Sequence, residues 1–260
     1  MFMYMSNLPS IGSYPFLAEP FHCDCSKRLF IGHLGNHLLN AADYHSSERG
    51  YGMNYLNTIN ATWVLSRLAI ELGEVPLMYD KFNVETWVES VMRYFTNRNF
   101  KILGSNGKVY GYGSSIWAMI NTESRQPVDI LDVKDGAINN CVEKEYLCPI
   151  ASCSRVRIGT DIPLVQTIDT TYHDVDVNGH INSIKYIEHA LNLWSLDWHK
   201  QHFVKRIEVA YVAETYIGDK LNFYKMESSN ATCTEALIRI TKTNVDGEAE
   251  VCRIKIVFNQ

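Results

Sequence analysis

The chain has 260 residues, 46% hydrophobic and 20% charged, which is the composition of a soluble globular protein with enough apolar material for one large domain or two small ones. A formal net charge of −5 argues against nucleic acid as the main partner. Seven cysteines without framework spacing fit a reducing compartment, and no apolar run reaches the roughly 20 residues that span a bilayer.

The opening MFMYMSNLPSIGSYPF lacks a basic segment and is broken by Pro9 and Pro15. It is therefore not read as a signal peptide, and a cytoplasmic protein is expected. From Ile31 to Gly50 the apolar spacing of Leu34, Leu38, Leu39, Ala42 and Tyr44 predicts a helix. Strand-like runs follow at Trp63–Leu72, Phe82–Val91, Tyr94–Leu103 and Val109–Ile120. Asn106-Gly107 between the last two is a tight-hairpin signal that asks both residues for positive φ.

The second half repeats the order. A helix is predicted over Ile181–Trp198, with Ile184, Ile187, Leu191 and Trp194 on one stripe. Strands are predicted at Arg206–Glu214, Lys220–Glu227, Thr234–Thr241 and Glu248–Phe258, with Asp246-Gly247 before the last. Gly32-His33-Leu34 and Gly179-His180-Ile181 fall at the same place in each copy. From about Asn121 to Pro163 the chain is irregular and reads as a long surface connection. The expected fold is α+β: an N-terminal unit over 1–125, a connection over 126–163 and a C-terminal unit over 164–260. An amphipathic sheet must bury its apolar face, and wrapping each sheet around its own long helix does so. Joining the two sheets edge to edge would remove two open edges. That architecture is a duplicated hotdog fold.

Asp174, Asp176, Asn178 and His180 crowd into seven positions ahead of the second helix. Asp174 or Asn178 could merely cap that helix, since short acceptors satisfy its free N–H groups. One cap does not account for four such residues. The functional alternative is a helix N-terminus built for developing negative charge on a carbonyl, with His180 donating or orienting. His33 and His37 have a spacing that can ligate zinc, but the Leu-Gly-Asn between them lacks the glutamate of that motif, so no metal is expected. Phosphate-loop, dinucleotide-binding and nucleophile-elbow motifs are absent, and no cofactor is expected.

The stretch DVDVNGHINSIKYIEH (Asp174–His189) resembles the D-x-D-x-N-x-H-x-N-x-x-K-Y signature of the acyl-acyl-carrier-protein thioesterase family, plant and bacterial type. NATWVLSRLAIEL (Asn60–Leu72), NVETWVES, SIWAMINTESRQP and YVAET (Tyr211–Thr215) resemble further segments of that family, over about Tyr14 to Phe258. The resemblance implies a thiolester hydrolase of lipid metabolism that releases free fatty acid from acyl carrier protein. By position it implies Asp176, Asn178, His180 and Glu214 as the catalytic set. Glu214 or Asp176 would activate water, Asn178 would orient water or the carbonyl, and His180 would stabilise the oxyanion or protonate the thiolate. Where many members carry cysteine after the glutamate this chain has Thr215, so a cysteine-nucleophile scheme cannot run and water attack is expected.

Asn182 and Thr215 are set among the substrate contacts. The first unit is expected to line the acyl pocket with Met53, Trp63, Leu65, Arg67, Trp87 and Trp117, the aromatic residues having plain core packing as their alternative. Lys27, Arg28, Lys205 and Arg206 are candidates for docking the acidic carrier protein with its phosphopantetheine-linked chain. A monomer or a homodimer would serve. The competing readings are a hotdog acyl-CoA hydrolase and a non-catalytic module that binds acyl chains or carrier protein.

Overall fold

The computed structural model describes residues 8–259. Residues 1–7, which begin the stretch read as no signal peptide, lie outside them. The chain forms two compact units: Met1–Leu29, His33–Ser66 and Gly73–Ser152 make the first, and Phe30–Gly32, Arg67–Leu72 and Cys153–Gln260 the second.

In the first unit β1 (Gly12–Leu17) precedes α1 (Ile31–Glu48) and the short α2 (Met53–Leu56). Four strands follow: β2 (Ala61–Leu72), β3 (Lys81–Val91), β4 (Phe95–Gly104) and β5 (Val109–Asn121). Their hydrogen-bonded order is β1-β3-β4-β5-β2. The helix forms because Ile31, Leu34, Leu38, Ala41, Ala42 and His45 recur at three- and four-residue spacing, and all six are buried. Burial of Leu34 and Leu38 contributes about 1.5–3 kcal/mol each. The face of α1 meets β1, β3 and β4: the His37 ring lies 4.5 Å from Phe16 and 5.7 Å from Phe82, and Arg98 donates to Ser46 Oγ at 3.0 Å.

In the second unit come β6 (Leu164–Asp169), α3 (Ser183–Leu191), α4 (Leu196–Gln201), β7 (Phe203–Tyr211), β8 (Lys220–Ser229), β9 (Cys233–Asn244) and β10 (Gly247–Asn259). The second half of β2 belongs to this unit and pairs with β7, Arg67 to Glu71 against Ala210 to Arg206. From there the order is β7-β10-β9-β8-β6. Ile184, Tyr186, Ile187 and Ala190 bury one face of α3. Tyr211 Oη donates to the Ser183 carbonyl at 2.9 Å, and the His189 ring stands 6.4 Å from Phe223.

Each unit is thus a helix against an antiparallel sheet, as expected, with four differences. The predicted helix Ile181–Trp198 is two helices, because Ser195 caps α4 by accepting from Trp198 N at 3.2 Å. Trp194 instead turns edge-on to Phe258, 4.8 Å away. β1 and β6 lie outside the predicted strands: β1 is six residues long and interrupted by Pro15, and β6 is exposed along almost its whole length and shows no apolar alternation. At Asn106-Gly107 only Gly107 takes positive φ (81°), and the hairpin closes as a turn followed by a bulge, Gly107 N donating to Gly104 O and Gly104 N to Lys108 O. The connection is also shared between the units. Glu143 N donates to Val88 O and Tyr146 covers Trp87 in the first, while Ser154 N donates to Glu208 Oε2 in the second. No described helix is long and apolar enough to cross a membrane.

Candidate active site

The polar cluster of the second unit folds into a closed turn just ahead of α3. Asp176 Oδ1 accepts from the N–H groups of Asn178 at 2.8 Å and His180 at 3.2 Å. Asp176 N donates to His180 O at 2.8 Å, and Gly179 N donates to Asp176 O at 3.0 Å. Gly179 makes the reversal at φ 81°, a region where a Cβ is costly. This turn leaves the Asn178 side chain exposed and the His180 imidazole half-buried.

Across from His180 runs the loop that leaves β7. Ile181 N donates to Thr215 O at 2.8 Å, which fixes the loop beside the turn. His180 Nε2 then stands 3.6 Å from Glu214 Oε2. Tyr216 Oη donates to the same Glu214 oxygen at 3.2 Å, and the Tyr216 ring lies edge-on to the His180 ring, 5.1 Å between centroids. Lys242 from β9 donates to the Glu214 carbonyl at 2.8 Å. Thr215 is completely buried, with the Tyr186 phenol beside its hydroxyl.

Two other members of the signature have structural tasks. Asn182 is the N-cap of α3, its Oδ1 accepting from Ile184 N at 2.8 Å, a bond worth about 1 kcal/mol. The capping role considered for Asp174 or Asn178 therefore belongs to Asn182. Asp174 is buried and accepts from Thr171 N at 2.7 Å and Thr171 Oγ1 at 2.8 Å, with His189 Nε2 2.7 Å from its other oxygen. Burial alone would raise its pKa; the Thr171 bonds and His189 overcome that and hold it below the ordinary value.

The first unit contains the same frame five residues earlier than the Gly-His dipeptide suggested. Asp24 Oδ1 accepts from Ser26 N at 2.7 Å and Arg28 N at 3.0 Å, Asp24 N donates to Arg28 O, and Lys27 N donates to Asp24 O. Lys27 takes positive φ (62°) where Gly179 does, and Leu29 N donates to Pro76 O as Ile181 N does to Thr215 O. The counterparts of Asp176, Asn178, His180 and Glu214 are thus Asp24, Ser26, Arg28 and Val75. The first unit thus keeps the turn aspartate and lacks the histidine and glutamate. Matching letters had aligned Gly32-His33 with Gly179-His180, whereas Gly32 lies inside α1, where a Cβ would come within 2.6 Å of the Glu188 side chain.

The other predicted residues are dispersed. Trp63 donates from Nε1 to Tyr51 O at 2.9 Å and packs with Tyr51, Leu56, Met119 and Ile130. Met53 opens α2 and is partly exposed, and Leu65 is buried. Trp117 donates to Ser115 Oγ at 2.8 Å. Trp87 is fully buried under Tyr146; its neighbour Thr86 meets Arg98 and so points to the α1 side, which leaves Trp87 on the opposite face of β3. Arg67 lies opposite Ala210, on the strand face that carries Glu71, Arg206 and Glu208. Of the docking candidates, Arg206 is tied to Glu71 at 2.7 Å and Glu208 at 2.9 Å, and Arg28 to Asp24 at 3.0 Å, while Lys27 and Lys205 are exposed.

Tyr216, Asp219 and Lys242 were missed. Lys242 reaches the loop from β9, and nothing local in the sequence signals that. Among the described residues no group of His, Cys, Asp and Glu is arranged to hold a metal ion; His33 instead stacks on His22 at 3.9 Å.

Comparison with known proteins gives this geometry its setting. Residues 16–134 match the model of the acyl-ACP thioesterase N-terminal domain and residues 160–260 that of the C-terminal domain, ACP being acyl carrier protein. Oleoyl-acyl carrier protein thioesterase 2, chloroplastic, of Arabidopsis thaliana is 24% identical over 246 residues, covering 88% of this chain and 65% of the relative. The chain spans 58% of the related oleoyl-acyl carrier protein thioesterase 1 of the same plant, so it accounts for about three fifths of such relatives. An acyl-ACP thioesterase from Bacteroides thetaiotaomicron has a structure similar to this one at TM-score 0.86 and 46% identity, over 96% of this chain and 98% of that one. The 12:0-ACP thioesterase from Umbellularia californica shares the fold at TM-score 0.83 with 18% identity, over 96% and 95% of the two chains. With both domain models matched in order along the sequence, the chain belongs to the acyl-ACP thioesterase family.

Proposed function

We propose that this chain hydrolyses the thioester joining a fatty acyl group to the phosphopantetheine arm of acyl carrier protein. The observation that carries the reading is the approach of His180 Nε2 to Glu214 Oε2, 3.6 Å, in a chain of this family. Glu214 takes a proton from water as its oxygen attacks the carbonyl carbon; the carbon–sulfur bond breaks, and His180 protonates the departing thiolate. The products are a free fatty acid and the carrier protein thiol. Asp176 serves this chemistry as the anchor of the turn, because its Oδ1 is already engaged by two backbone N–H groups and Asp24 makes the same bonds in a unit without the pair. Asn178, exposed beside His180, is assigned to orienting water or the carbonyl. All seven cysteines are free thiols, which suits action in a reducing compartment such as the cytoplasm.

The test is release of free fatty acid from acyl-ACP and from acyl-CoA by the purified chain. Turnover of acyl-ACP with a clear preference over acyl-CoA supports the reading. Preference for acyl-CoA assigns the other substrate class, and binding of both without turnover would leave only a binding module.

A further inference from the structure

The loop after β7 carries more side-chain chemistry than its fold requires, and the first unit supplies the comparison. In both units an aspartate closes the loop by accepting the N–H three residues earlier: Asp219 Oδ2 from Tyr216 N and Asp80 Oδ2 from Leu77 N, each at 2.9 Å. In both, the residue before that aspartate takes positive φ, Gly218 at 93° and Tyr79 at 75°. Leu77 stands where Tyr216 stands, so the frame needs neither a phenol nor a ring there. The second partner of the aspartate differs as well. Asp80 receives the neutral Tyr110 hydroxyl at 2.7 Å, whereas Asp219 lies 3.6 Å from the Lys242 ammonium.

In the second unit these additions converge on the reacting pair. Tyr216 Oη donates to Glu214 Oε2, the oxygen that faces His180, and the Tyr216 ring packs edge-on against the imidazole. Lys242 Nζ lies 5.5 Å over the Tyr216 ring and donates to the Glu214 backbone carbonyl, so one cation braces both residues. A glutamate at a partly exposed loop has several rotamers open to it. One charge-assisted bond is enough to favour a single rotamer on the order of tenfold or more.

We propose that Tyr216 is a positioning residue for this reaction, holding the Glu214 carboxylate toward His180 through its hydroxyl while Lys242 fixes its ring. The inference rests on the roles given above to Glu214 and His180. The test uses the full chain with acyl-ACP substrate and the variants Tyr216→Phe, Tyr216→Leu, Glu214→Ala and the double variant Glu214→Ala with Tyr216→Phe. Tyr216→Phe is expected to lower kcat about tenfold with KM little changed, since one hydrogen bond to a charged group is lost. Tyr216→Leu installs the first unit's residue; it should fold with an unchanged melting temperature and lose at least as much kcat. In the Glu214→Ala background Tyr216→Phe should cost nothing further, because its effect runs through that carboxylate. A Tyr216→Phe enzyme at the wild-type rate, or a full independent loss in the Glu214→Ala background, overturns the proposal. Wild-type turnover by Glu214→Ala would instead remove the role of Glu214 itself, a result read separately from either.

Discussion

Asp24 and Asp176 make the same turn: each carboxylate oxygen accepts from the N–H groups two and four residues ahead, at 2.7 and 3.0 Å in the first unit and 2.8 and 3.2 Å in the second. Only the second is followed by a histidine that meets a glutamate. The duplication is thus an internal control that separates what the turn needs from what a reaction needs.

For Asp176 the control predicts a conservative outcome. Asparagine keeps an oxygen that can accept from both N–H groups, so Asp176→Asn should hold its rate within about tenfold of wild type, whereas loss of a general base costs on the order of 10²- to 10⁴-fold. Initial rates on acyl-ACP decide it; a loss of the larger size would make Asp176 the base. Asp176→Ala, which empties the acceptor, should lower both rate and melting temperature.

The His180 and Glu214 substitutions should behave differently. His180→Ala and Glu214→Gln are each expected to reduce kcat on the order of a hundredfold or more, with melting temperatures close to wild type, because both side chains are part-exposed and neither ties the frame together. Circular dichroism melts alongside the kinetics would expose an unfolding artefact.

Thr215 holds the loop through its carbonyl, and its side chain is fully buried. Thr215→Cys should therefore leave turnover nearly unchanged and give no burst of acyl-enzyme in rapid-quench experiments. A covalent acyl-cysteine intermediate, trapped and seen by mass spectrometry, would contradict this.

Acid should destabilise the first unit. His45 is almost completely buried; burial, with help from Arg98 and Arg49, pushes its pKa down to about 2, and burial with His22 and His33 brings His37 down to about 4. A base whose folded pKa is depressed has no effect above its unfolded value, near 6.5, and costs stability as pH falls below it, since only the unfolded chain takes the proton. For His45 alone this is roughly 2 kcal/mol between pH 7 and pH 5. His45→Gln, which can still donate to the Ser10 carbonyl, should flatten the fall of melting temperature over that range. Asp174 acts in the same direction lower down: its depressed pKa contributes stability above the unfolded value, near 3.9, that is lost as pH falls through the folded one.

The two turn residues with positive φ should respond in opposite senses. Gly179→Ala places a Cβ in the left-handed region and should cost about 1 kcal/mol, while Lys27→Gly relieves the same strain in the first unit and should gain a few tenths to about 1 kcal/mol. Denaturant midpoints of the two variants test both.

The sequence by itself determined two units of a helix with an antiparallel sheet, the strands whose faces alternate in burial, and the short list from which His180 and Glu214 come. Those features are written in local periodicity and in residue type, which neighbouring positions suffice to show. It did not determine β1, a six-residue strand interrupted by Pro15, or β6, an exposed strand that leaves no apolar pattern, nor the break before Ser195, where one hydroxyl cap outweighs a continuing apolar stripe. Tertiary structure alone decided what each of these side chains bonds to: Asp174 is buried against His189, Asp176 Oδ1 accepts from two backbone N–H groups, and Asn182 caps the helix. It alone aligned Arg28, rather than His33, with His180, because equivalence between the units lies in hydrogen bonds and not in matching letters. It also brought Lys242 and Tyr216 to Glu214, a convergence that depends on β9 crossing beside a loop some 28 residues earlier in the chain.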